Sequence, residues 1–410
     1  MSRHSAVPTS RPARALLSLV ALLALFAGAC SSDGEAGGDD TTTTGAGGSD
    51  AGELVLDDDL RDRLQELTSQ LATPGGVVSV HVGDDVWTGV TGDASVPTPD
   101  AEPAPGVEPV DQPVPVTEDL VWPLRSITKS FTVTLLLQLV DEGLVALDDT
   151  VEQYVPGLPN GDSITLEQLA DMSSGLPEYT NEAWVAAFSA DPLRAFTAEE
   201  LIGYAATEPS QFDPGAERVY TNTNTVVLGQ VIEAVTGSTF DEQLRTRILE
   251  PLDLSMTVYP AGVDDWNGDH ATGYQMDGDV LSPQVVNFTV FDTAGAMISD
   301  VSDLAVWGEA LATGSLISEA SQKARTSAAE PLDEGPEYDR YGLGIGEIDG
   351  WWGHTGEGMG YEALVMHDVE RDLTVVIYVN MSNLTDESTG EPVHAPTALF
   401  HDIAALLDEG

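Results

Sequence analysis

Residues 126–143, SITKSFTVTLLLQLVDEG, decide how the chain is read. Their middle is almost wholly apolar, so a helix here is buried on most sides instead of lying on a surface. At its start stand Ser126 and Lys129, and a spacing of three puts both side chains on one helical face, amine within reach of hydroxyl. A serine alone is a poor nucleophile, and an adjacent amine is one way to activate it. The helix N-terminus adds partial positive charge that favours a developing alkoxide. On this pair alone, an N-cap serine beside a solvated lysine remains open. Lysine usage weighs against that bland reading. Lys and Arg total 15, yet only Lys129 and Lys323 are lysines. Arginine keeps its proton at any ordinary pH whereas an ammonium exchanges one readily, so a retained lysine points to proton chemistry.

Two further segments supply partners. In PGAERVYTNTNTVVLGQVIEAVTG, Tyr220 and Asn222 stand just before a helix, two residues apart, so a phenol and an amide can point into one space. In GWWGHTGEGMGY, His354, Thr355 and Gly356 precede a strand, where a glycine lets a ligand lie close to the backbone.

Taken in order, SITK, YTN and HTG resemble the three active-site motifs of the serine β-lactamase and penicillin-binding superfamily, whose class A forms are S-x-x-K, S-D-N and K-T-G. The Tyr-x-Asn form is that of the class C branch. Segments ITLEQLADMSSGLP, FDPGAERVYTNTN, AGAMISDVSDLAVW, YGLG and GHTGEGMGYEALV are similar to its landmarks. The likeness covers about residues 54–400 and is greatest to soluble D-alanyl-D-alanine carboxypeptidases. It implies an α+β fold: an antiparallel sheet built from N- and C-terminal segments, flanked by helices, with a mostly helical inserted subdomain. It further implies that Ser126 carries an acyl group while Lys129 and Tyr220 share its proton, a nearby cation keeping the phenol below its free pKa of about 10. Asn222 would bond the substrate's amide oxygen, and the N–H groups of Ser126 and Glu357 would form the oxyanion hole. Thr355 and Gly356 would line the site, Trp184 would supply an aromatic wall, and His354 replaces the lactamase lysine. Neither metal nor organic cofactor is implied, and a monomer acting on a small-molecule or peptidoglycan-like substrate is expected.

The sequence departs from that pattern at the subsite for a free carboxylate. Carboxypeptidases of this kind place an arginine just after YGLG and a hydroxyl after HTG; here those positions are Gly346 and Glu357. The hydrolytic apparatus is untouched, but recognition of a free terminal carboxylate is not expected. Arg340 lies on another part of the strand. A rival reading, prompted by Glu357 and the charge, is a non-catalytic envelope protein that binds muropeptides or a partner through the same cleft. An α/β-hydrolase is disfavoured because no Gly-x-Ser-x-Gly occurs, and a metalloenzyme because no His-Glu-x-x-His does. Asp264, Asp265 and Asp269 have the wrong spacing for a calcium loop and read as solvated turn residues.

Around this centre, residues 57–72 predict an amphipathic helix with acids at its start, and residues 77–92 a hairpin about a Gly-Asp-Asp turn. Capping boxes are expected at Thr165/Gln168 and Thr239/Glu242, a C′ glycine at Gly237, a hairpin from YEALVMHDV and DLTVVIYVN, and a closing helix over 396–407. The net charge of −54 over 410 residues excludes nucleic acid as a natural partner. Arg3, Arg11 and Arg14 followed by ALLSLVALLALFAGA, an apolar run too short to span a bilayer, predict an export signal over 1–29. Cys30, the single cysteine, follows directly, and 30–53 reads as an acidic flexible tether before a hydrolase domain at 54–410. This resembles a lipoprotein signal, so Cys30 is the expected lipidation site and the protein is expected outside the cytoplasm, held to the membrane by lipid alone.

Overall fold

The computed structural model describes residues 54–385 and 392–409. The signal segment, Cys30 and the tether lie outside the described residues. Strands β1 (Gly75–Val82) and β2 (Asp85–Ser95) form the expected hairpin, turning at Gly83 with φ +53°. Beside three small two-stranded pairings among the described residues, the other strands of the main sheet are β3 (Val114–Pro115), β4 (Arg340–Tyr341), β5 (Gly346–Ile348), β6 (Trp351–Gly358), β7 (Tyr361–Asp368) and β8 (Leu373–Val379). They complete one antiparallel sheet in the order β3-β2-β1-β8-β7-β6-β5-β4. The two ends of the chain meet at its centre, where Gly76 faces Val379 and Val82 faces Leu373.

Side-chain alternation splits the sheet into two buried faces. Val78, Val80, Leu364 and Met366 pack on helices α1 (Asp58–Thr68) and α6 (Ala395–Asp408) through Leu60, Leu64, Phe400 and Ile403. Among the helices between those two in sequence are α2 (Thr128–Asp141), α3 (Glu182–Ala190), α4 (Asn222–Thr236) and α5 (Val301–Thr313). On the opposite sheet face Val77, Ala363, Val365 and Val376 share a core with Leu304 and Trp307 of α5 and with α2. In α2, Phe131, Val133, Leu135, Leu136, Leu137 and Leu139 are each at most 1% exposed, as the apolar run predicts. Each such burial is worth about 1.5–3 kcal/mol, so this helix anchors the site it carries.

Local signals mostly hold. α4 ends at Gly237 in the left-handed region, φ +67°, and the Thr165/Gln168 box is complete. The Thr239 box is half formed: Thr239 accepts the Glu242 N–H, while the Glu242 carboxylate accepts the Ser238 hydroxyl. Two expectations need correction. Ser126 is not in the α-helix but in a 3₁₀ turn, Arg125–Ile127, that leads into it. His354, Thr355 and Gly356 do not precede a strand but lie inside β6, opposite Val365, Leu364 and Ala363.

Candidate active site

The turn before α2, the start of α4 and strand β6 converge on Lys129. This lysine is fully buried, and its Nζ donates to Ser126 Oγ at 3.0 Å, Asn222 Oδ1 at 2.7 Å and Ala294 O at 2.8 Å. The Tyr220 ring centroid lies 5.0 Å from the same nitrogen. Burial pushes the ammonium down to about 7, with Glu178 pulling in the opposite direction. A lysine with that pKa is substantially neutral near pH 7 and offers its lone pair to the serine proton. Ser126 itself is half-buried, open enough to meet a substrate.

Tyr220 faces the same serine. Its hydroxyl approaches Ser126 but completes no well-formed hydrogen bond with a protein group. Burial raises its pKa well above 10, and Tyr338 and Glu178 add to the rise. Burial thus favours a protonated phenol and a neutral amine over a phenol drawn into its ionised form by a cation. Nor does His354 supply that cation. It is wholly buried, and its Nδ1 lies 2.6 Å from Thr355 O while its Nε2 lies 3.0 Å from the Tyr341 hydroxyl. Desolvation lowers its pKa to about 3, so it is a neutral hub. Tyr341, edge-on to Tyr220 at 5.8 Å, transmits its packing to the phenol.

Asn222 opens α4. With Oδ1 occupied by Lys129, its amide N–H groups remain for a substrate carbonyl. Sequence reading missed Glu178, whose carboxylate accepts the Asn222 N–H at 2.7 Å and the Thr221 hydroxyl at 3.0 Å. Burial raises its pKa against the pull of those donors and of Lys129. Its place before α4 is a contact across 44 residues that no local pattern encodes.

Gly356 is required by close approach, since a Cβ there would stand 2.2 Å from Leu124 O and 3.1 Å from the Arg125 Cβ. This brings β6 against the nucleophile turn. The Thr355 N–H points out of the sheet edge to the Tyr338 hydroxyl at 2.8 Å. Alternation aims the Glu357 N–H the same way, beyond the last β5 pairing at Gly353 and Gly346, so it faces the cleft. The Ser126 N–H, in the first turn, has no intrahelical acceptor. Two donors are thus available for an oxyanion.

The Glu357 side chain is exposed and sits directly opposite Glu362, which is fully buried. Burial raises the Glu362 carboxyl well above its usual range, with the Glu357 charge adding to the rise. Glu362 Oε2 accepts the Ala395 N–H at 2.8 Å, and its other oxygen has no partner. Trp184 requires a correction. It is 1% exposed, stacks on Phe188 at 5.0 Å and meets Tyr179 edge-on at 6.0 Å, which makes it core and not a cleft wall. Arg340 pairs with Glu347 and covers Trp352, away from the catalytic groups. Asp264, Asp265 and Asp269 are exposed, as turn residues should be.

A serine, a buried amine of depressed pKa, an unpartnered phenol and two edge N–H groups form the apparatus of a serine acyl hydrolase. The chain belongs to the beta-lactamase family, whose model matches residues 60–398. Among solved structures it is similar to a D-stereospecific amidohydrolase from Streptomyces sp., 29% identical with a TM-score of 0.68, covering 79% of this chain and 94% of that one. D-amino acid amidase from Ochrobactrum anthropi SV3 shares the fold at 21% identity and a TM-score of 0.73, covering 86% and 99%. Penicillin-binding protein 4* of Bacillus subtilis is 26% identical over 295 residues, 66% of this chain and 63% of its own length, so the chain spans less than two thirds of that curated relative.

Proposed function

We propose that the protein hydrolyses amides or esters that carry no free carboxylate beside the scissile bond, with D-amino acid amides as the leading substrate class. The observation that carries this reading is Tyr338. Its ring lies over Gly346, where any Cβ would meet ring carbons at 2.3 Å, so the position held by arginine in carboxypeptidases is already filled. Its hydroxyl occupies Thr355 Oγ1 at 2.7 Å as well as the Thr355 N–H. A carboxylate placed there would meet no cation and would lie near Glu357, an arrangement that costs several kcal/mol once desolvated. The names of the amidohydrolase and amidase relatives point to the same chemistry.

In the proposed cycle neutral Lys129 takes the Ser126 proton as Oγ attacks the carbonyl carbon. The N–H groups of Ser126 and Glu357 hold the oxyanion, and Asn222 orients the substrate amide. As the C–N bond breaks, the proton returns to the leaving amine through the Tyr220 hydroxyl, which lies against Ser126. Water then attacks the acyl-enzyme by the reverse route. The test compares D-alanyl amide, a short-chain nitrophenyl ester and the free D-alanyl-D-alanine dipeptide by released product. Amide and ester should exceed the dipeptide by at least about 100-fold in kcat/KM, and Tyr338→Ala should narrow that gap. Comparable turnover of the free dipeptide by the unaltered protein would overturn the reading.

The setting we propose is outside the cytoplasm, on a lipid attached at Cys30. The motif that supports it is the arginine-flanked apolar run ending at that residue. Radiolabelled palmitate should enter the protein made in a bacterial host and be absent from Cys30→Ala; equal labelling of the two would refute it.

A further inference from the structure

Arg125 directly precedes the nucleophile and carries three features that its neighbours do not explain. Its backbone is in the left-handed region at φ +50°, unfavourable for a bulky residue other than glycine. It is 2% exposed, and among the described residues its guanidinium has no carboxylate partner. Burial lowers its pKa to about 10, so it remains a buried cation at neutral pH. A buried, unpaired charge is unfavourable, and what compensates it here is a grip on one short stretch of chain. Nε donates to Gly358 O at 2.8 Å and Nη2 to Met359 O at 3.3 Å. The group lies 4.6 Å from the Phe291 ring centroid and 5.2 Å from that of Tyr361.

We infer that Arg125 is a positioning residue that fixes the two oxyanion donors relative to one another. One donor, the Ser126 N–H, is the next residue along from Arg125. The other, the Glu357 N–H, lies between two clasps. On one side Gly356 presses on Leu124 O, where no Cβ fits. On the other, the guanidinium holds Gly358 O. The loop beyond is held in unusual conformations, with φ +145° at Gly358, +44° at Met359 and +90° at Gly360. Its far end is tied down by Gly360, whose carbonyl accepts the Tyr274 N–H at 3.2 Å and whose N–H donates to the Ser382 hydroxyl, while the near carbonyls of Gly358 and Met359 are held by the guanidinium. Arginine suits the task because its planar fork reaches two carbonyls at once while its face stacks on aromatic rings; lysine keeps the charge and can donate to a carbonyl but lacks the planar, fixed fork.

The inference rests on the hydrolase reading, and the experiment separates the two. Wild type, Arg125→Met and Arg125→Lys are compared in steady-state ester hydrolysis and in the rate at which a p-nitrophenyl phosphonate labels Ser126, with thermal unfolding followed for each. The labelled mass of the wild type reports the hydrolase; the ratios between variants report Arg125. Arg125→Met should lose about 100-fold in kcat and in labelling rate, the size of losing one oxyanion donor, with KM within threefold of wild type. Arg125→Lys should regain part of that loss. A folded Arg125→Met within twofold of the wild-type kcat would overturn the inference. Should the Met variant fail to fold, Arg125→Lys decides alone: a fall in kcat of about tenfold at unchanged KM supports it, and a fall below twofold refutes it.

Discussion

Ser126→Ala is expected to lower the turnover of every amide and ester by at least about 10⁴-fold and to abolish formation of a covalent adduct, the size seen when a catalytic serine is removed while binding is left intact. The folded state should survive. Ser126 is half-buried, and its hydroxyl accepts one hydrogen bond from the Lys129 amine with the Tyr220 hydroxyl nearby, so the cost to stability is about 1 kcal/mol. Intact-mass measurement after mixing with a penicillin or an activated ester checks the adduct, and thermal unfolding checks the fold. A variant that keeps even a tenth of wild-type turnover would show that another group attacks. A wild type that binds saturably and never releases product would instead favour the muropeptide-binding reading.

The second large effect concerns Lys129. Wild-type acylation should rise with pH through about 7 and then level off, because the neutral amine is the active form. Lys129→Arg, which cannot shed its proton, should be about 10³-fold slower with no recovery up to pH 9. Stability carries the same signature. The folded pKa of about 7 lies below the ordinary lysine value of 10.5, so between these values the unfolded chain holds a proton that the folded chain does not. Wild-type stability therefore gains from this group as pH rises through that window, and below about pH 7 the cost of the buried charge is full and constant. Lys129→Met removes the titration, so the difference in unfolding free energy between it and wild type should change steadily over the same window. A difference independent of pH would show that the lysine is not desolvated as described.

The reach of the sequence can be judged residue by residue. α2 was legible because a run of apolar residues at nearly every helical position has no surface to lie on, β1 and β2 because alternation and a Gly-Asp-Asp turn are local facts, and β7 and β8 because two runs rich in Val, Leu and Ile flank a charged turn. Lys129 stood out by scarcity. Strand β6 hid because Gly353, Gly356 and Gly358 depress strand propensity, yet the glycine at 356 is there because another backbone presses on it. Tyr338 sits in an acidic, proline-bearing loop, and nothing nearby in the chain says that its hydroxyl crosses to Thr355. The strained turn at Arg125 was equally silent, since a positive φ at a long side chain is imposed by tertiary contacts and runs against local preference. Trp184 was misplaced for a plain reason: an aromatic residue carries the same one-letter signal whether it lines a cleft or fills a core. Charge states were the last thing to emerge, because the order of Lys129, Tyr220 and His354 as proton carriers depends on how deeply each is buried.

The union of β1 with β8 has a consequence for how the molecule comes into being. These neighbouring strands are separated by nearly three hundred residues of intervening chain, so their pairing must close one of the longest loops the polypeptide contains. A nascent chain emerging from the ribosome has its first hairpin well before its central partner, which follows only after the intervening residues are made. Until then Val77, Val78 and Val80 have no sheet to enter, and a helper that shields apolar segments has its longest task at that hairpin.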